Sequence, residues 1–69
     1  MQISARNQLE GTVGEVTHGA VMSSVTIKLP GGQELVAAIT RESAEALDLA
    51  EGAPVKAVIK ATEVMVATT

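Results

Sequence analysis

The chain has no cysteine, no phenylalanine, tyrosine or tryptophan, and a single histidine, His18. The missing cysteines exclude a disulfide framework and a thiolate nucleophile, and one histidine is too few for an ordinary zinc cluster. The missing aromatic rings remove the stacking platform on which single-stranded nucleic acid is held. Basic side chains are also scarce. Five lysines and arginines stand against eight aspartates and glutamates, for a net charge of −3, which argues against a partner bound through its phosphate backbone. No apolar run approaches the length needed to span a bilayer, and the N-terminus lacks the basic-then-apolar pattern of a secretory signal. A cytoplasmic protein with no membrane and no nucleic-acid partner is expected.

What is present is small and aliphatic. Apolar residues make up 46% of 69 positions, supplied by valine, alanine, isoleucine, leucine and three methionines. A single domain of this size buries only about 60% of the surface exposed by its unfolded chain. Without disulfides, metal or large aromatic side chains, the remaining way to gain buried area is self-association. Apolar residues on more than one face fit that expectation.

The hydrophobic pattern predicts an all-β fold. Residues 3–16 (ISARNQLEGTVGEV) read as a long bent strand with Gly11 and Gly14 as bend or bulge points. Residues 17–20 read as a turn around Gly19. Residues 21–29 (VMSSVTIKL) alternate cleanly, with Val21, Ser23, Val25, Ile27 and Leu29 on one side. Pro30, Gly31 and Gly32 then predict a hairpin, and residues 33–39 (QELVAAI) return with Leu35, Ala37 and Ile39 on one face. Over 40–49 the period changes to that of a short helix capped by Thr40 and closed off by Gly52 and Pro54. Residues 55–60 and 62–67 read as two more strands. Five strands with one short helix between the third and fourth suit a small Greek-key barrel of the oligonucleotide/oligosaccharide-binding (OB) type.

Three donor-rich places stand out in a chain with few cations. Ser4 and Arg6 would lie on one face of a strand, because side chains alternate with period two. Thr40 and Ser43 open the helix, where free amides and the helix dipole favour an anion. A full capping box would place Glu or Gln at the third helical position; Ser43 stands there instead, and Glu42 is expected to turn away. Lys60 places an ammonium beside a strand break at Ala61. Composition and spacing leave two readings open: an ordinary edge, cap and strand end, or an oxyanion site. Catalysis is not expected. His18 reads as a solvated turn residue with no nearby carboxylate, and the glycines form no phosphate loop.

The segments ISARNQLEGTV (3–13), AAIT-x-x-S (37–43) and VIKATEVM (58–65), with GGQELVAAIT between them, resemble the molybdenum-pterin-binding (Mop) domain. The length, with residues 1–69 as one such domain, resembles the free-standing molbindins. The resemblance implies a five-stranded barrel assembled as a homohexamer, a trimer of dimers, that stores or buffers molybdate and also takes tungstate, without an organic cofactor. Its oxyanion contacts correspond to Ser4, Arg6, Thr40, Ser43, Lys60 and Ala61, which hold the ion by hydrogen bonds and not by direct coordination of a metal. At Ala61 only the backbone N–H can donate. A second class of site near the three-fold axis is implied, with the turn around Gly19 and Ala20 as its candidate, and Asn7 is expected to bond backbone and not ligand. The alternative is a structural or protein-interaction barrel without an active oxyanion site.

Overall fold

The computed structural model describes residues 2–69. Four strands and one helix follow in the order β1 (Asn7–His18), β2 (Met22–Lys28), β3 (Glu34–Thr40), α1 (Arg41–Ala46) and β4 (Pro54–Ile59), with a 3-10 turn at Ala61–Glu63. All pairings are antiparallel, and the sheet order is β3-β2-β1-β4. The fourth strand thus returns beside the first after a connection through the helix, which is the Greek-key arrangement. The twelve-residue β1 serves two partners, pairing with β4 from Asn7 to Thr12 and with β2 from Thr12 to His18.

Two glycines allow β1 to do this. Between Val13 and Val16 the register shifts, so that Gly14 and Glu15 together oppose Thr26. This bulge bends the strand and curls the sheet. At Gly11 a Cβ would lie 2.5 Å from the Lys28 carbonyl oxygen and 2.9 Å from Ile27 Cγ2, so only glycine lets the strands approach this closely.

The concave face of the curl carries the core. Val13 and Val25 are 2% exposed and pack with Ile27 and Ala57, while Leu35, Ala37, Ile39, Leu49 and Val55 are half-buried around them. In β2 and β3 these are the period-two positions that the sequence predicts for the inner face, while Leu49 comes from the connection after the helix. Val21 departs from the pattern. It precedes β2 in the turn and is exposed. The helix buries Ala44 alone and stops after six residues. Leu49 N–H bonds to the Ala44 carbonyl and Asp48 N–H to that of Glu45, with Asp48 at φ +54°. This Schellman closure ends the helix before the run of helix-forming residues does.

The expected five-stranded barrel is corrected to four strands. Residues 62–67 alternate suitably for a strand, yet after the 3-10 turn they pair with nothing, leaving Met65 93% and Val66 91% exposed. A strand needs a neighbour to satisfy its backbone and cover its apolar face. Edge strands β3 and β4 are not paired with each other, and an apolar hollow of about 400 Å³ lies between them, lined by Ile27, Leu35, Ile39, Leu49, Val55 and Ile59 among others. The N-terminal strand begins at Asn7 and not at Ile3. The turn expected at 17–20 starts two residues later, with Thr17 and His18 still in the ladder.

Candidate functional site

The chain's first residues and those after β4 meet at one end of β1. Asn7, the first residue of β1, stands opposite Ile59, the last of β4. Its Nδ2 donates to the Ile59 carbonyl at 3.2 Å. Beyond that rung the two segments part around an open cleft of about 500 Å³, walled by residues 3–6, Val58 and residues 60–62. Ser4, Arg6, Lys60 and Ala61 therefore line a single cleft. No acidic side chain is in its walls, and the one ion pair among the described residues, Arg41 to Glu45, lies elsewhere. Two cations, two hydroxyls and apolar walls, with no carboxylate, are the chemistry an anion requires.

Ser4 and Arg6 reach the cleft for a different reason from the one their spacing suggests. They precede the ladder, so strand alternation does not align them. A loop does, with Ala5 lining the cleft between them. Gln8 Nε2 donates to the Ala5 carbonyl at 2.8 Å and draws this loop back on itself. Thr62 also lines the cleft and was missed by sequence reasoning. The signal available was a hydroxyl immediately after Ala61, where the side chain itself can donate nothing.

Thr40 and Ser43 form the second group. Thr40 caps α1, its Oγ1 accepting the Ser43 N–H at 3.1 Å and donating to Ser43 Oγ at 2.7 Å. The Arg41 N–H is taken by the Val21 carbonyl at 2.8 Å. Two of the first-turn amides are thus satisfied within the protomer, so the Ser43 hydroxyl is the more accessible donor here. Glu42 borders a shallow cleft with Ala20, Thr40, Arg41 and Glu45, and Ser43 is not on that wall. The turn at Gly19 and Ala20 meets the same cleft, where Arg41 Nη1 donates to the Gly19 carbonyl at 3.3 Å.

The two groups belong to opposite ends of β1. Lys60 follows Ile59, which pairs with Asn7, whereas Thr40 pairs with Met22, next to the Ser23–His18 rung. His18 itself is not a free turn residue. Its Nδ1 lies 2.6 Å from Oγ of the buried Ser23 and satisfies that hydroxyl. Among the described residues no group of three or more His, Asp or Glu is placed to hold a metal ion.

The TOBE domain family matches residues 3–66, a span that contains both groups. Molybdenum-pterin-binding protein 1 of Clostridium pasteurianum is 42% identical over 66 residues, covering 96% of this chain and 97% of that protein. The chain belongs to the Mop family of TOBE domains. This Mop domain is 52% identical over 65 residues to the molybdenum transport protein ModE of Herbaspirillum seropedicae, covering 94% of the chain but only 24% of ModE. A molybdate-binding protein from Sporomusa ovata has the same fold, with a TM-score of 0.92 and 48% identity over 99% of this chain and 100% of that one. The Mop domain's helix between β3 and β4 and its curled sheet thus agree with a solved molybdate-binding protein. No helix is long and apolar enough to cross a membrane among the described residues.

Proposed function

We propose that this Mop domain binds molybdate as an intact tetrahedral dianion at sites completed between copies of the chain, and that it stores or buffers the ion in the cytoplasm. The observation that carries the reading is the cleft holding Ser4, Arg6, Lys60 and Ala61 without any carboxylate, in a chain whose relatives are molybdenum-pterin-binding and molybdate-binding proteins.

A dianion must be met by cations and many hydrogen bonds, because an uncompensated charge is costly to take out of water. The cleft supplies two cations and the Ser4 and Thr62 hydroxyls but is open on its outer side. Thr40 registers to the other end of β1 and Ser43 follows it in the helix, so a second copy has to bring them. Association is further supported by apolar surface with no cover on the protomer: the hollow between β3 and β4, and Val64, Met65 and Val66 in the tail. A homohexamer built as a trimer of dimers satisfies both needs. An ion bound only by the assembled form also stabilises that form.

Net charge does not oppose this. Distant charges are screened beyond about 10 Å at ordinary ionic strength, and the nearest donors govern an enclosed ion. Tungstate, alike in shape and charge, binds too. Sulfate is separated by size. Phosphate keeps a proton at neutral pH, and a pocket of donors offers that proton no acceptor.

The test combines molybdate titration calorimetry, elemental analysis for molybdenum and tungsten, and native mass spectrometry with and without molybdate. Saturable molybdate binding that accompanies the oligomeric form is expected. A monomer at all concentrations, or an oligomer that takes up no molybdate, refutes the reading and leaves a structural barrel in its place.

A further inference from the structure

We infer that Asn7 and Gln8 are positioning residues that hold the oxyanion cleft in its binding shape before any ion arrives. The inference rests on the proposed molybdate site and goes beyond it. Neither residue supplies a ligand contact; each acts through the loop that carries Ser4 and Arg6.

The need for such a device follows from the topology. The ladder between β1 and β4 ends at the Asn7–Ile59 rung, so no strand pairing holds residues 2–6. Arg6 and Lys60 both line the cleft formed there, with no acid among its lining residues, so no ion pair within the cleft fixes either side chain. Ser4 and Arg6 are both exposed, so packing does not fix them, and an unrestrained loop would present them in many arrangements. An incoming ion would then have to order it again at a cost in affinity.

Two side-chain hydrogen bonds limit that freedom. Asn7 Nδ2 donates to the Ile59 carbonyl at 3.2 Å and closes the end of the ladder where the cleft begins. Gln8 Nε2 donates to the Ala5 carbonyl at 2.8 Å, three residues back, and fixes the peptide between Ser4 and Arg6. Both acceptors are carbonyl oxygens, so each amide must present its NH2 group and its orientation is set by chemistry. Gln8 is exposed and fills no core; its bond shapes the loop and leaves the barrel untouched. Supporting residues of this kind determine how accurately contact groups are presented to a bound ion.

Molybdate titration of the full-length protein tests this with Gln8→Ala, Gln8→Met, Asn7→Ala and Asn7→Asp, each alone and combined with Arg6→Ala. Gln8→Ala and Gln8→Met should weaken binding about five- to twentyfold, with the thermal midpoint and the assembly unchanged. In the Arg6→Ala background the same changes should have little further effect, because residues acting through one group are not additive. Wild-type affinity in both Gln8 variants, or an equal loss with and without Arg6, overturns the inference while the molybdate site stands. Failure of the wild type to bind overturns the site and the inference together. If Asn7→Ala does not fold, the Gln8 pair still decides.

Discussion

Thr40 and Ser43 hold each other: the Thr40 hydroxyl oxygen accepts the Ser43 amide at 3.1 Å and passes its own hydrogen to Ser43 Oγ at 2.7 Å. The Ser43 oxygen is thereby an acceptor towards Thr40, and its own hydrogen remains free to donate to another group. One cap therefore starts the helix and primes an external donor.

Replacing Ser43 by Glu separates those roles. A carboxylate at this position can complete a capping box, so the helix is preserved, but a negative charge replaces the hydroxyl donor. Ser43→Glu should keep its thermal midpoint and lose molybdate binding by calorimetry. Tight binding retained in this variant shows that the helix start takes no part in the site. Thr40→Ala should lower stability by about 1 kcal/mol in a denaturant titration, as loss of a cap does.

Arg6→Ala removes a charged donor from the cleft. Hydrogen bonds to charged groups contribute about 1.5–3 kcal/mol, so molybdate affinity should fall about ten- to a hundredfold while native mass spectra show the same assembly. An unchanged dissociation constant takes Arg6 out of the site.

Thr62 and Ala61 offer a matched pair of changes in the same cleft. Thr62→Val keeps the shape and deletes the hydroxyl, and it should weaken binding a few-fold. Ala61→Ser adds a hydroxyl beside Lys60 and should strengthen it. Titrations in which neither change moves the affinity show that no side chain of this turn touches the ion.

Gly11→Ala tests the packing between β1 and β2. The new methyl group would stand 2.5 Å from the Lys28 carbonyl oxygen and 2.9 Å from Ile27 Cγ2. Overpacking of this kind costs about 1–3 kcal/mol, which should appear as a lower denaturation midpoint. A wild-type midpoint shows that the two strands part at no cost.

Met65→Asp with Val66→Asp addresses the tail. Both side chains lie almost wholly in solvent on the protomer, so a protomer that functions alone should be improved, if anything, by the charges. In an assembly that buries the tail, two carboxylates cannot be covered. Smaller species in native mass spectra, with the β-sheet circular dichroism retained, are the expected result.

Much of the fold was legible before any coordinates. Strict alternation at Val25 and Ile27 and at Leu35, Ala37 and Ile39 assigned the inner face of two strands, because a strand has only two faces and water selects one of them. Gly14 marked the bulge, and Thr40 the helix start, through local chemistry that needs no distant partner. The fifth strand failed for the complementary reason. Residues 62–67 have the right alternation, but a strand exists only where another edge accepts its hydrogen bonds, and this protomer offers its tail none.

The site divides along the same line. The residue types came from sequence alone: hydroxyls and cations at Ser4, Arg6, Thr40, Ser43 and Lys60, in segments resembling those of Mop domains. That Arg6 and Lys60 line one cleft, that Thr62 joins them, and that Thr40 registers to the far end of β1 were decided by tertiary structure. Side-chain chemistry and periodicity are properties of a short stretch of chain. Which stretches face each other depends on the pairing of β1 with β4 across the whole length of the molecule, and local sequence carries no record of that register.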